Sequence, residues 1–140
     1  MKNLAYCFAI VLIFVFSAAA QTSPVGNWYG DSVCQVKNSP CKTEKVVYRI
    51  IQMDDAATKF MMQADKIINE KPEFMGILEF EFDAASKTLT NKTLTGKNKD
   101  SVWKFTLGEK DMEGTLTLAD GTIYRRIKVA KVLCGGKSYN

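Results

Sequence analysis

The sequence predicts an all-β domain folded as an eight-stranded antiparallel up-and-down barrel. Eight short runs rich in β-branched and aromatic residues alternate with turn-forming clusters at fairly even intervals. In the clearest runs apolar and polar residues alternate, so each strand has one face to bury. Closing the sheet into a barrel buries these faces together and removes exposed edges. The predicted strands are Val25 to Val33, Lys45 to Met53, Lys59 to Ile68, Met75 to Phe82, Thr88 to Thr95, Val102 to Leu107, Met112 to Leu118 and Thr122 to Leu133.

The N-terminal segment, Met1 to Ala20, has the pattern of a cleavable signal peptide. Lys2 precedes a long apolar run that ends in small residues, and cleavage after Ala20 leaves a domain of residues 21–140 that begins at Gln21. The run approaches the roughly 17 to 25 residues that can span a bilayer, but its small-residue end favours cleavage. We therefore expect a secreted or periplasmic protein that has no membrane attachment once the signal is removed.

Charge and size narrow the possible partners. The whole sequence has a formal net charge of +4, of which Lys2 in the signal segment supplies one unit. The remaining basic residues are scattered along the chain, which argues against a nucleic-acid surface. The mature chain is long enough to bury one core without additional cross-links, and we expect a monomer.

Three cysteines remain after the signal segment. Cys34 and Cys41 flank a turn-forming stretch, and in an oxidising compartment they are the predicted disulfide pair. Cys134 is then either a single thiol or the partner of one of the other two. Because the sequence has no histidine, three cysteines make a poor zinc ligand set, and we predict neither a metal nor a cofactor.

Residues 54–69 fit two interpretations. Apolar residues recur there at helical spacing behind a possible cap at Asp54, but the segment also reads as a turn followed by the strand Lys59 to Ile68. We favour the strand. A helix would instead make the barrel smaller or give it a lid.

The later strands alternate most clearly. Leu78, Phe80 and Phe82 share one face of their strand, while Glu79 and Glu81 share the other. Short clusters of turn-forming residues separate these strands. Such short connections require each strand to pair with its sequence neighbour, which gives a meander.

Two motifs carry a family resemblance. The first strand begins with a G-x-W motif that ends at Trp28, and the last strand contains Arg125 and Arg126 in the run TIYRRIKV. In these features the chain resembles the lipocalin and fatty-acid-binding protein group, the calycins, and small lipocalin-like domains that bacteria export. The resemblance implies that Trp28 packs across the closed end of the barrel against Arg125 or Arg126 through a cation–π contact.

An eight-stranded barrel either fills its interior with side chains or holds one small ligand. Arg49 is the candidate anchor for an acidic head group, although exposure to solvent or an ion pair with Glu79 or Glu81 is the favoured interpretation. For the apolar candidates, plain core packing is the competing interpretation. The apolar candidates to line a cavity are Tyr48, Phe60, Met62, Phe80, Trp103, Phe105 and Tyr124.

The sequence offers no catalytic constellation. Without histidine it lacks the usual base for a serine or cysteine nucleophile. We therefore expect a non-enzymatic binding protein that holds a small apolar or amphipathic ligand inside the barrel. In the alternative, the barrel engages another protein, or inhibits one, through its loops and the segment Gln21 to Val25.

Overall fold

The computed structural model describes residues 22–96 and 98–133. The predicted signal segment and Cys134 lie outside these described residues. Within the described part of the chain, no helix has the length and apolar character needed to cross a membrane.

The eight predicted strands are confirmed, and they form a closed antiparallel barrel. Each strand pairs with the next along the chain, and β1 pairs with β8 to close the sheet. The strands are β1 (Gly26–Cys34), β2 (Glu44–Gln52), β3 (Lys59–Ile68), β4 (Lys71–Asp83), β5 (Thr88–Lys92), β6 (Val102–Leu107), β7 (Asp111–Thr117) and β8 (Ile123–Lys131).

The ambiguous segment is a turn followed by a strand. Asp54 forms the turn: its Oδ1 accepts hydrogen bonds from the backbone N–H groups of Thr58 and Lys59, both at 3.0 Å. Asp54 therefore stabilises a tight loop and does not cap a helix. The strand β3 that follows pairs along its whole length with β4.

Strand β4 begins four residues earlier than the sequence predicted. Asn69 and Glu70 both have positive φ, at 50° and 65°, and they connect β3 and β4 as a two-residue hairpin turn. Ala64 pairs with Gly76 and Asp65 pairs with Phe74, so one extra residue bulges from β4 between these pairs.

The apolar faces pack together inside the barrel, as the alternation predicted. Phe105 lies at the centre of this core, with its ring in edge-to-face contact with Tyr48 at 5.9 Å and with Phe80 at 5.7 Å between centroids. Gly114 on the neighbouring strand leaves space for the Phe105 ring, because a Cβ there would overlap it. The core therefore depends on a small residue directly beneath its central aromatic ring.

Trp28 is buried near the start of β1, but its cationic neighbour differs from the one that the resemblance implied. The indole Nε1 donates a hydrogen bond of 2.9 Å to the Pro24 carbonyl, and Lys131 Nζ lies 5.2 Å from the ring centroid. The expectation of Arg125 or Arg126 was wrong because the register of β1 with β8 places Lys131 opposite Trp28. Arg125 lies opposite Cys34, towards the other end of the strand.

The contact between β4 and β5 is short. Only Glu81, Phe82 and Asp83 of β4 pair with β5 in the described part of the chain, although β4 is 13 residues long. Asn91 spans the adjoining gap by donating a hydrogen bond of 2.7 Å to the Glu79 carbonyl. The barrel wall therefore has a gap between the first part of β4 and the segment that follows β5.

Candidate functional site

A cavity of about 350 Å³ lies towards the end of the barrel that holds Ser32, Glu44 and Arg125. Its lining residues come from both sides of the gap between β4 and β5, so the cavity opens through that gap. The lining residues are Ser32, Glu44, Tyr48, Met62, Ala64, Met75, Gly76, Ile77, Leu78, Thr93, Asn98, Ser101, Trp103, Leu116 and Arg125.

Aromatic and thioether side chains form the inner wall of this cavity. Tyr48 and Met62 are almost completely buried, with 2% and 1% of their surface exposed. The Trp103 ring stacks nearly parallel on the Phe105 ring, with centroids 6.1 Å apart. The wall of the cavity thus rests directly on the packed core, which fixes its shape.

Arg125 anchors a polar cluster at the side of the cavity. Its Nη1 donates hydrogen bonds of 3.1 Å to the Ser32 hydroxyl and to the Lys42 carbonyl. The same nitrogen lies 3.2 Å from a carboxylate oxygen of Glu44. The guanidinium is therefore held between β1, β2 and the loop that joins them, and its charge is balanced by one carboxylate.

The predicted disulfide between Cys34 and Cys41 is confirmed, and it closes this same loop. Cys34 pairs directly with Arg125 across the sheet, and Lys42 follows the second cysteine. The disulfide consequently lies beside the polar cluster and restrains the chain that supplies one of the acceptors of Arg125.

Tyr48 joins the apolar wall to the polar cluster. Burial raises the pKa of its phenol well above the usual value, against smaller lowering effects of the Arg125 charge and of a hydrogen bond with Ser32. Tyr48 is therefore a neutral hydrogen-bonding group at neutral pH.

Ser101 lines another part of the cavity, but its unsatisfied hydroxyl oxygen is buried within the wall. The residue is 2% exposed, and its Oγ has no hydrogen-bond partner in residues 22–96 and 98–133. Its backbone is fully used, because its N–H donates to Asn98 at 3.1 Å and its carbonyl accepts from Thr93 at 2.9 Å. A buried hydroxyl without a partner is unfavourable, so Ser101 lowers the stability of this part of the wall.

Of the eight candidate ligand-binding residues, three line the cavity: Tyr48, Met62 and Trp103. Three more, Phe60, Phe80 and Phe105, are fully buried in the core beside it. Tyr124 is not a lining residue, and its ring lies 5.9 Å from Arg125 Cζ.

Arg49 lies on the outer face of β2, away from the cavity. Its guanidinium forms an ion pair with Asp65, a buried carboxylate that also accepts a hydrogen bond of 3.1 Å from Gln63. The structure thus places Arg49 in an ion pair, as the competing interpretation proposed, but its partner is Asp65 and not Glu79 or Glu81.

Sequence reasoning missed Ser101, Glu44 and the position of Arg125 in the cavity. Ser101 lies two residues before Trp103, so the strand period puts both on one face, but the turn-forming cluster that precedes it hid this signal. Glu44 begins β2, one residue before the predicted start of that strand, and only the strand register brings it to Arg125.

Among the described residues, no group of three or more cysteine, aspartate and glutamate side chains is arranged to hold a metal ion. No protein-family model matches the chain, and no curated protein matches it in sequence.

Proposed function

We propose that this protein is an exported, non-enzymatic binding protein of lipocalin-like type that holds one small apolar or amphipathic molecule in the open half of its barrel. The observation that carries the proposal is the cavity of about 350 Å³, which lies within the range of roughly 300 to 1,000 Å³ that is usual for ligand sites. The disulfide supports export, because such bonds persist in oxidising compartments.

The composition of the wall supports the same proposal. Met62, Leu78 and Trp103 offer apolar contact, while the Arg125 cluster offers a few polar groups. Binding sites for small molecules combine these two features, since apolar contact supplies affinity and a few polar groups fix the orientation. A ligand enters through the gap between β4 and the segment after β5.

Native mass spectrometry of the protein purified from its secreting host tests the proposal. We expect an additional mass that is retained in gentle ionisation and lost on denaturation. A second measurement uses 1-decanol as a defined probe and isothermal titration calorimetry as the readout.

A variant that fills the cavity makes this test specific. Gly76 faces the cavity, and a Cβ there meets no atom within 4 Å, so Gly76→Leu places a side chain in the ligand space without a backbone clash. We expect it to abolish decanol binding. The control is Glu79→Leu, which adds the same side chain to the exposed outer face of the same strand. Equal binding by the wild type and Gly76→Leu would refute the proposed site.

A second candidate function, contact with another protein, is favoured by exposed apolar residues on β4. Phe74 is 61% exposed and Ile77 is 52% exposed, and both lie in the part of β4 that has no pairing with β5 among the described residues. The substitution Phe74→Ser distinguishes the two functions: it should weaken capture of a partner protein and leave decanol binding unchanged.

A further inference from the structure

We propose a separate binding site, on the outer surface of the barrel, for the phosphate group of a small phosphate monoester. The site is a groove of about 370 Å³ over β6, β7 and β8, which is called the outer groove below. Its lining residues include Lys104, Glu113, Thr115, Arg126 and Lys128. These five side chains lie on the outer face of the sheet, so the proposal does not depend on the ligand cavity inside the barrel.

The strand register places one cation on each side of a hydroxyl. Lys104 of β6 pairs with Thr115 of β7, and Thr115 pairs with Arg126 of β8. The sequence neighbours Phe105 and Ile127 are buried, so Lys104 and Arg126 project outwards. Neighbouring strands are about 4.8 Å apart, and the Cα atoms of the two cationic residues are therefore separated by roughly 10 Å. Both side chains are long enough to reach one anion that lies over Thr115, whose hydroxyl is a further hydrogen-bond donor.

Neither of these two cations is neutralised by an acidic side chain. Within residues 22–96 and 98–133, the side chains of Lys104 and Arg126 form no ion pair and no hydrogen bond. The rest of the sequence contains no Asp or Glu. Among the described residues that line the outer groove only Glu113 is acidic, and its carboxylate lies 2.7 Å from Lys128 Nζ. The outer groove therefore keeps two uncompensated positive charges.

A phosphate monoester matches these two charges. At neutral pH it carries a charge of about −1.5 to −2, whereas a carboxylate or a sulfate ester carries a single negative charge. The guanidinium of Arg126 is suited to donate two parallel hydrogen bonds to phosphate oxygens, and the ammonium of Lys104 binds them as a point charge. At about 30 Å³ for each non-hydrogen atom, the outer groove has room for about a dozen atoms, so the ester is a small one.

Three probes that share a phenyl ring and differ in the charged group test the proposal: phenyl phosphate, phenyl sulfate and benzoate. Each is titrated into the isotope-labelled wild-type protein at neutral pH and low ionic strength, and heteronuclear NMR gives the affinity and the place of binding. We expect phenyl phosphate to bind about fivefold more tightly than either monoanion, the ratio that corresponds to about 1 kcal/mol for a further unit charge close to a cation in water. The largest shifts should occur at the amides of Lys104, Thr115 and Arg126. Equal affinities for the three probes, no binding of phenyl phosphate, or shifts centred elsewhere would overturn the proposal.

Removing one of the two cations tests whether the outer groove itself binds the ester. Arg126→Gln should lower the affinity for phenyl phosphate by about fivefold or more, because one of the two uncompensated charges is lost. The matched control is Lys59→Gln, which changes the net charge equally on the outer face of β3 and outside the outer groove. Equal losses in the two variants would show that the net charge of the protein attracts the ester, and they would overturn the proposal.

Glu113→Gln should have the opposite effect. It removes the carboxylate that engages Lys128, so a third cation of the outer groove becomes available to the ester. We expect the affinity for phenyl phosphate to rise about two- to fivefold, and a gain of this kind does not arise from unfolding. An unchanged or lower affinity, in a variant that circular dichroism shows to be folded, would overturn the proposal.

Discussion

Replacing both Cys34 and Cys41 with alanine removes the bond that closes the loop beside the polar cluster. The two residues are separated by 7 positions, so the closed loop contains about eight residues. The chain-entropy relation then gives a loss of about 2.5 kcal/mol in the free energy of unfolding, because the unfolded chain gains the freedom that the bond denied it. The barrel itself should still form, since its core does not include either cysteine.

Urea unfolding followed by tryptophan fluorescence measures this loss. With a slope of about 1.5 kcal/mol per molar, the midpoint should fall by about 1.5 to 2 M relative to the oxidised wild type. The matched control is the wild type kept in reducing agent, which should unfold at the same urea concentration as the double variant. A fall of less than about 0.5 M would refute the reasoning, because the loop would then be equally constrained without the bond.

Three further perturbations test the barrel by urea or acid unfolding. Trp28→Ala should lower the free energy of unfolding by about 3 to 5 kcal/mol, because the indole is fully buried. Lys131→Met removes only the cation–π contact and should lower it by about 0.5 to 1 kcal/mol; equal losses would contradict this difference. Gly30→Ala should lower the free energy of unfolding by about 3 kcal/mol or more, because the added Cβ would lie 2.8 Å from the Val129 Cα and overlap the adjacent carbonyl. The control Gly76→Ala, where a Cβ meets no atom within 4 Å, should change it by less than about 1 kcal/mol. Hydrogen bonds, chiefly from the Thr58 side chain, lower the pKa of Asp54. The ionised carboxylate therefore contributes to the free energy of unfolding at neutral pH, and this contribution is lost as pH falls through the lowered pKa. Asp54→Asn should flatten the dependence of stability on pH below about 4, and an unchanged acid slope would exclude this role.

Local patterns predicted the strands well, because each strand has a distinct period and is bounded by turn-forming residues. Val102 to Leu107 and Lys59 to Ile68 have the predicted bounds. The start of β4 was missed because Asn69 and Glu70 form a hairpin turn without a glycine, and because Pro72 follows so closely. The positive φ values at this turn are imposed by the pairing of β3 with β4, and the sequence of the turn does not clearly indicate them.

The site was harder to predict because it depends on register. The pairs Trp28 with Lys131, Arg49 with Asp65 and Arg125 with Glu44 all join different parts of the chain, and a one-residue shift in pairing would place each side chain on the other face. Two adjacent arginines in β8 point to opposite faces of the sheet, and the strand period places Arg125 on the face of Ile127 and Val129, which are buried. The contacts that Arg125 makes on that face depend on the register.

The gap between β4 and β5 has a consequence for self-association. A barrel normally has no free strand edge, but here the first part of β4 is paired on one side only in the described residues, and Phe74 lies exposed on it. Such an edge is a template on which another copy could add a strand and begin an aggregate. Pro72 has no N–H to offer, Lys71 adds charge, and the extra residue between Phe74 and Gly76 distorts the edge. These features discourage the addition of a strand at this edge, and with it aggregation at high concentration, although the gap leaves the edge open.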